Sequence, residues 1–484
     1  MARAGECGFT CSGRRDRRSG AAVAGPPAMR GAVKSGRWLA AAVALAWSVA
    51  PLHAQTTAPN QIQTSQTQPS QPAQTQPVQA QPAPAPAQSP FGAVPSRPML
   101  VPTPAPDQAA APARGGTATE LRFGLTAPFS GPAREYGRQM TAGVETAFNL
   151  VNDEGGVNGF KIKLVSADDG YDPARTLEQV KKLAERDKVV GFVGNFGTAN
   201  AIAALPTIFE RRMLLFAPAT GSSLVRRTPP DRYVLNFRPS YAEETAAAVR
   251  HLVRVRGLRP RDIAVFAQED AFGEEGYAGV VKALRGAQGR FDRPQRLSYK
   301  RNTLDVAEAV ARLRARKYPP RAVVMAAVNR PAAKFIETTR PLFPNMIYTN
   351  VSAVGSTSLA DELRMLGPRY ANGVIVTQVM PDVEGYSKFV LDFKTALAKY
   401  FPGETPDYVS LEAYATGKLL IEGIRRMGPQ FDTEKLIDAL ESVKTFDIGL
   451  GTPLAFSPAE HQASHKVWGT QLDAQGRYKA IDLE

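Results

Sequence analysis

Apolar and polar positions follow two alternating patterns from about residue 121 onward. Short apolar runs, as at 121–125 and 189–193, are typical of buried strands. Between them, apolar residues recur at three- and four-residue spacing, as at 140–151 and 173–186, which predicts amphipathic helices. Strands that alternate with helices in this way predict βαβ units, and therefore an α/β fold whose parallel sheet is covered on both faces.

The same alternation continues toward the end of the chain. Further strands are predicted at 161–167, 214–217, 232–237, 263–267, 322–327, 346–349 and 373–378, and further helices at 243–256 and 409–427. In parallel sheets of this kind, small ligands bind in the loops at the carboxyl ends of the strands. The first of these loops are 130–137, 168–172 and 195–200, so a ligand site is expected there.

The first part of the chain predicts export and a spacer. Residues 1–28 carry no periodic pattern, whereas Met29 opens a normal export signal, so translation from either methionine stays open. The signal has a basic start, an apolar run at 38–49 that is too short to span a bilayer, and a cleavage site near Ala54. Residues 55–117, rich in Gln and Pro, predict a disordered linker, which is either a tether or a dispensable tail.

Cysteine usage and charge exclude several classes of function. Both cysteines, Cys7 and Cys11, precede the predicted cut, so the mature chain has no disulfide, thiol nucleophile or thiolate metal site. Residues 1–54 carry eight Lys/Arg and two Asp/Glu, and their removal lowers the net charge from +14 to +8. The arginines are spread along helical segments without interleaved aromatic residues, which predicts a solvated surface and no nucleic-acid partner.

Catalytic and metal-binding patterns are weak in this sequence. It contains neither a G-x-S-x-G elbow nor a Walker A loop. His461 and His465 have the spacing of a metal pair but no third ligand, and they are interpreted as surface residues. The pair Asp168 and Asp169 is interpreted as part of a loop and helix start, with negative charge at the helix N-terminus. The sequence therefore predicts no enzyme, no metal and no cofactor.

Several motifs carry a resemblance to a known family. They are S-G-P-A-R-E-Y-G (130–137), N-D-E-G-G-V-N-G (152–159), D-D-G-Y-D-P (168–173), V-G-F-V-G-N-F-G-T (190–198), F-A-P-A-T-G (216–221) and D-A-F-G-E-E-G (270–276). By their order and spacing, the chain from about residue 121 to the end resembles the type 1 periplasmic binding proteins of the branched-chain amino acid (Leu/Ile/Val) transport family.

The resemblance implies a fold and a function. The fold would have two Rossmann-like lobes, three crossover strands (near 237–241, 377–381 and 455–458) and a ligand cleft between the lobes. The N-terminal lobe would comprise 118–238 and 380–455, and the C-terminal lobe 241–377 and 459–484. The protein would be a monomeric periplasmic receptor that binds a small amino acid, carboxylate or amide by hinge closure and delivers it to an ABC permease. Signalling to a sensor kinase or chemoreceptor stays open as the alternative.

The resemblance also implies ligand-binding positions. Thr198 matches a carboxylate-binding hydroxyl, with a helix N-cap as the structural alternative. Ala219 matches a position whose backbone carbonyl binds ligand, and Thr220 a nearby hydroxyl, although Gly221 is the other possible register. Tyr136 and Phe272 match aromatic residues that close on the ligand from the two lobes. Packing between helices is the alternative for Tyr136.

Two positions depart from the family pattern. Ser352 falls where the family has the acid that pairs with the ligand's ammonium, and a serine cannot offset the burial of that charge. Asn329, or Val328 beside it, replaces an aromatic residue of the second lobe. These departures argue against an α-amino acid and leave carboxylates and amides equally open. The acids considered as substitutes are Asp169, Glu269 and Asp270.

Overall fold

Two β-sheets organise residues 119–288 and 293–484, which are the residues that the computed structural model describes. The predicted signal peptide, its cleavage site and the Gln/Pro-rich linker lie outside them. The first sheet has five parallel strands in the order β2-β1-β3-β4-β5. They are β1 (Thr119–Ala127), β2 (Phe160–Asp168), β3 (Gly191–Val193), β4 (Leu214–Phe216) and β5 (Val234–Leu235). The last three are buried throughout, as in a sheet covered on both faces.

The second sheet has seven strands in the order β12-β11-β10-β9-β8-β6-β7. They are β6 (Ile263–Gln268), β7 (Gln295–Tyr299), β8 (Ala322–Ala326), β9 (Ile347–Asn350), β10 (Ile375–Gln378), β11 (Trp468–Leu472) and β12 (Tyr478–Ile481). The first five of these pair in parallel, whereas β11 and β12 add an antiparallel hairpin beside β10. The sequence pattern predicted neither β7 nor this hairpin.

Helices connect and cover both sheets. They are α1 (Arg134–Asp153), α2 (Pro173–Glu185), α3 (Thr198–Glu210), α4 (Tyr241–Arg250), α5 (Ala271–Gln288), α6 (Ala307–Arg314), α7 (Asn329–Thr339), α8 (Ser356–Leu366), α9 (Pro368–Ala371), α10 (Lys388–Tyr400), α11 (Tyr408–Met427) and α12 (Thr433–Glu441). In the described residues, no helix has both the length and the apolar character that crossing a membrane requires. The helix predicted at 243–256 is instead α4 followed by a π-helical segment, His251–Val255.

The chain returns to the first sheet after it has built most of the second. Helix α11 packs along α1 so closely that a Cβ atom on Gly143 would lie 2.2 Å from the carbonyl oxygen of Ser410. Any larger residue at this position would force the two helices apart. Lys399 at the end of α10 pairs with Asp153 at the end of α1. The first lobe is therefore built from two separate parts of the chain.

Two of the crossings between the lobes run side by side. The backbone N–H of Asn236 donates to the carbonyl of His461, and the N–H of Ser464 donates to the carbonyl of Phe237. A few paired segments of this kind can act as a hinge between lobes. We propose the lobe bounds that the resemblance implied, with one change. The third crossing, expected at 455–458, is placed at 461–464, so that the first lobe ends at 460 and the second lobe resumes at 465.

Candidate functional site

The loops that follow the strands of one sheet contact those that follow the strands of the other. The side-chain amide of Gln268, at the end of β6, donates to the hydroxyl of Tyr171 at 3.0 Å. Asn302, after β7, donates to the carbonyl of Gly170 at 3.1 Å. The guanidinium of Arg301 lies 5.5 Å from the centre of the Tyr171 ring. These contacts hold the lobes in a closed arrangement.

A small cavity lies between the lobes. Its volume is about 10 Å³, close to the minimum that holds one water molecule. A larger solute can therefore enter only when the lobes separate. The cavity is lined from the first lobe by Ala133, Tyr136 and Phe196, and from the second lobe by Val328, Asn329, Ala353, Val354, Gly355 and Ser358.

Buried hydroxyl groups cluster at the ends of β3 and β4. The Oγ1 atoms of Thr198 and Thr220 lie 2.7 Å apart, and both residues are almost fully buried. Burial raises the pKa of the nearby Tyr241 phenol, against the opposing effects of Arg238 and the hydroxyls of Thr220 and Thr198. The phenol therefore stays protonated beside the two threonines. Three hydroxyl groups at one place can donate hydrogen bonds to an anionic or carbonyl oxygen.

The backbone around Thr198 and Thr220 decides two questions that the sequence left open: whether Thr198 is a helix cap, and whether the hydroxyl of the next turn falls at Thr220 or at Gly221. Thr198 is the first residue of α3 and not a loop residue, and the N-cap is Gly197, whose φ of +100° favours glycine. The Thr198 hydroxyl is therefore not a helix cap. A Cβ atom on Gly221 would lie 2.6 Å from the backbone nitrogen of Tyr241, so this position is closed to a side chain. The hydroxyl of this turn is that of Thr220.

Ala219 connects two loops through its backbone. Its N–H donates to the carbonyl of Asn195 at 2.8 Å, and its carbonyl accepts from the N–H of Gly197 at 3.4 Å. A carbonyl oxygen has two lone pairs, so that of Ala219 retains the capacity for a second hydrogen bond. Ala219 therefore lies beside Thr220, in the region where the ligand site was predicted. Both of its backbone hydrogen bonds join it to the neighbouring loop of the protein.

The two predicted aromatic residues have different environments. Tyr136, in the first turn of α1, packs on Phe196 with ring centroids 3.9 Å apart and lines the small cavity. Phe272, at the start of α5, packs on Tyr241 with centroids 5.1 Å apart. Asn329, the first residue of α7, lines the same cavity as Tyr136 from the other lobe. Phe272 supports the hydroxyl cluster through Tyr241, and Tyr136 faces the second lobe directly.

Ser352 holds a buried acid that the sequence did not reveal. Its backbone N–H donates to Oε2 of Glu244 at 2.8 Å, and its hydroxyl donates to Oε1 at 3.0 Å. The hydroxyl of Thr377 adds a third bond at 2.6 Å. Glu244 is fully buried, and burial raises its pKa against the lowering effects of Arg238 and these donors. A buried carboxyl group therefore lies directly beside the position where the sequence pattern lacked an acid.

The substitute acids proposed from the sequence have other environments. Asp169 accepts hydrogen bonds from the N–H of Tyr171 and from the side chains of Thr176 and Asn200. Asp270 pairs with Arg301 at 2.9 Å, and Glu269 is exposed. Among these acids and Glu244, Glu244 is the one beside Ser352.

The helix start that was expected after Asp168 and Asp169 is confirmed, because the side chain of Asp172 accepts from the N–H groups of Ala174 and Arg175 at the start of α2.

Arg238 is a second buried charge that sequence reasoning missed. Its Nε and Nη2 atoms donate to the two carboxylate oxygens of Glu412, on α11, at 2.8 and 2.6 Å. Burial by itself would lower the pKa of Arg238, but the Glu412 carboxylate outweighs it and raises the pKa. A single arginine directly after the predicted strand 232–237 was the available signal. Its partner, however, lies 174 residues away.

The two late histidines do not form a common site. His461 is buried, not on the surface as predicted, and its ring nitrogens lie 2.8 Å from the carbonyl of Val234 and 2.9 Å from Glu441. His465 is half-exposed and its Nδ1 lies 2.7 Å from Glu243. Each histidine therefore has its own acidic partner.

The pair of His465 and Glu243 should make stability depend on pH. The hydrogen bond with Glu243 raises the pKa of His465 above 6.5. Burial of Glu243 opposes ionisation, but bonds from His465, Ser240 and Gln462 outweigh it and lower the pKa from 4.5 to about 2. The contribution of His465 to the free energy of unfolding is complete below pH 6.5 and is lost as the pH rises through its raised pKa. The glutamate contribution is complete above pH 4.5 and is lost as the pH falls.

We therefore expect His465→Gln to lower the free energy of unfolding most between pH 4.5 and 6.5. The loss should be below about 1 kcal/mol, because the histidine is partly exposed and solvent screens the pair. Urea unfolding followed by circular dichroism at pH 5.5 and 9 measures it. A difference between the two proteins that stays constant with pH would contradict the assignment.

Together, the two lobes, the paired crossings and the buried polar groups between them define a two-lobed solute-binding protein. The family model described as periplasmic binding protein matches residues 120–477. This chain belongs to that family, among the type 1 proteins of the branched-chain amino acid group. The predicted fold class is thereby confirmed.

Individual relatives agree with this membership. A possible leucine/isoleucine/valine-binding protein from Rhodopirellula baltica is 34% identical, with a TM-score of 0.72 over 77% of this chain and 99% of that one. A substrate-binding periplasmic protein from Ralstonia solanacearum is 28% identical, with a TM-score of 0.67 over 75% and 100%. The Leu/Ile/Val-binding protein BraC3 of Rhizobium johnstonii is 25% identical over 69% of this chain and 86% of its own.

Proposed function

We propose that this protein is a periplasmic receptor that binds a small amino acid, carboxylate or amide between its lobes and delivers it to an ABC permease. The observation that carries the proposal is a hydroxyl cluster and a buried carboxyl group that both lie within reach of the charge of the buried Arg238. The cluster comprises Thr198, Thr220 and Tyr241, and the carboxyl group is that of Glu244. Relatives named as Leu/Ile/Val-binding proteins support the choice of solute class.

The two parts of the cleft suit opposite ends of a zwitterion. Hydroxyl donors beside the N-terminus of α3 favour a carboxylate, since the helix dipole and its first N–H groups favour negative charge. Glu244 favours an ammonium, because a buried charge needs an opposite charge and hydrogen bonds to offset desolvation. An amino acid can use both groups, whereas a simple carboxylate or amide uses the hydroxyl cluster alone. Glu244 therefore restores the amino acid as a candidate that Ser352 by itself argued against.

Closure of the lobes is the step that a permease would recognise. The bonds of Tyr171 with Gln268 and of Asn302 with Gly170 join the lobes at the mouth of the cleft. Opening breaks these bonds and lets the solute enter, and the bound solute then favours the closed form by contacting both lobes. A surface that exists only in the closed form can report occupancy to a membrane partner.

A thermal-shift panel on the mature protein, from Gln55 onward, tests the proposal. It should contain amino acids, ammonium-free carboxylates and amides of similar size. A solute at a hundred times its dissociation constant should add about 2.7 kcal/mol to the free energy of unfolding. Isothermal titration then gives the affinity and a stoichiometry of one. If no solute of the three classes stabilises the protein, the proposed function is wrong.

A further inference from the structure

One NH2 group of the buried Arg238 guanidinium lacks a hydrogen-bond acceptor. The residue is 1% exposed, and its Nη1 atom has no acceptor among the described residues. Glu412 occupies the edge formed by Nε and Nη2. Because the guanidinium is a planar fork, Nη1 lies on the side away from that carboxylate. The N–H groups of Nη1 are therefore free of the ion pair with Glu412.

The unpaired side of the guanidinium is next to Tyr136. Nη2 donates its second N–H to the Tyr136 hydroxyl at 3.3 Å, so the edge shared by Nη1 and Nη2 points toward this phenol. Tyr136 in turn lines the cavity between the lobes. Its hydroxyl accepts from Arg238, and the hydrogen bonds of the described residues give its own proton no acceptor. Two donor groups without an acceptor, Nη1 of Arg238 and the hydroxyl of Tyr136, are therefore neighbours, and the second belongs to a residue that lines the cavity.

The nearby carboxyl groups do not use these donors. Glu244 is close enough to act on the charge of Arg238, but no ion pair joins them, because its oxygens bind Ser352 and Thr377. Glu412 is already paired on the other edge. A buried donor without an acceptor is costly, so a solute that supplies an acceptor gains affinity and one that covers the donor with apolar atoms loses it.

We propose that the cleft selects solutes that present a hydrogen-bond-accepting oxygen to Nη1 of Arg238 and the hydroxyl of Tyr136. Purely aliphatic side chains, including those of leucine, isoleucine and valine, are then disfavoured. In the side chain of the solute, an amide carbonyl fits better than a carboxylate. Two buried acids already interact with the Arg238 guanidinium, Glu412 through an ion pair and Glu244 through its charge. This inference rests on the proposed function, since it assumes that a small solute binds between the lobes.

Solutes matched in shape test the proposal. Leucine, asparagine and aspartate have side chains of equal size and branching, and 4-methylpentanoate and succinamate repeat the leucine–asparagine pair without the ammonium. Isothermal titration of the mature protein should give an affinity on the order of ten- to a hundredfold higher for asparagine, or for succinamate, than for its aliphatic counterpart. Aspartate presents oxygen acceptors that also carry a charge, so its affinity should lie between those of leucine and asparagine.

The outcomes separate the inference from the proposed function. If the aliphatic member of either pair binds equally well or better, the inference is overturned while the receptor function stands. If no solute in either series binds, the proposed binding of small amino acids and carboxylates falls, and this inference falls with it.

The variant Tyr136→Phe locates the effect at the proposed donors. It retains the ring that packs on Phe196 and removes only the hydroxyl. The affinity for the amide solute should fall by about tenfold, whereas the affinity for its aliphatic counterpart should not change. Tyr414→Phe is the matched control, since Tyr414 is a buried tyrosine of α11 that packs on Phe389 and Phe393. An unchanged affinity ratio in Tyr136→Phe would show that selection does not occur here.

Discussion

Replacing Arg238 with methionine should lower the free energy of unfolding by about 3–5 kcal/mol, the usual cost of removing one partner of a buried ion pair. The substitution leaves the Glu412 carboxylate buried on α11 without the guanidinium that binds both of its oxygens. It also removes the donor to the Tyr136 hydroxyl. Guanidinium chloride unfolding at pH 7, followed by circular dichroism, measures the loss.

The double variant Arg238→Met with Glu412→Leu is the control for this first result. If the loss comes from the unpaired carboxylate, replacing both charges with apolar side chains should recover most of the stability. A double variant that is as unstable as Arg238→Met would show that the packing of Arg238, and not its charge, is what the fold requires.

The second large effect is expected from Glu244→Gln. Glutamine retains the shape of the side chain and one oxygen for the donors of Ser352 and Thr377, but it carries no charge. The affinity for an ammonium-bearing solute should fall on the order of a hundredfold, because its buried charge loses the opposite charge. The affinity for a carboxylate without an ammonium should change little. Isothermal titration with the two kinds of solute measures both.

Two comparisons make the Glu244 result specific. Ser352→Ala removes one of the bonds that hold Glu244 and retains the carboxyl group, so it should weaken binding much less than Glu244→Gln. Burial already raises the pKa of Glu244, so glutamine should be tolerated in the fold. Equal losses for both kinds of solute would assign Glu244 a purely structural role. An unchanged affinity for amino acids would mean that another group pairs with the ammonium.

The sequence predicted the strands and helices wherever apolar spacing was strong. The buried strands β6 and β8 were found to within one residue of their ends, and α11 began one residue earlier than predicted. Predictions failed where the local signal was weak. The strand β7 is partly exposed and carries polar residues, and the C-terminal hairpin has an outer strand, β12, without a fully buried residue.

The sequence likewise predicted one part of the candidate site and missed another. Thr198, Thr220 and Ala219 follow consecutive strands of one sheet, so the order of the motifs was enough to place them together. Glu244 and Ser352 lie 108 residues apart and meet only because α4 packs beside the ends of β9 and β10. Neither residue has a sequence pattern that names the other. For the same reason, the interpretation of Ser352 as a lost acid missed the carboxyl group that it holds.

By itself, the sequence determined the α/β alternation, the loops that could carry a ligand, and the family that the chain resembles. These features follow from hydrophobic spacing and turn residues, which act within a single element and can be read along the chain. Only the tertiary structure decided which buried charges meet: Arg238 with Glu412, and Glu244 with Ser352 and Thr377. Burial makes such charges require partners, but the partner is set by how the helices and sheets pack, so it can come from anywhere in the chain.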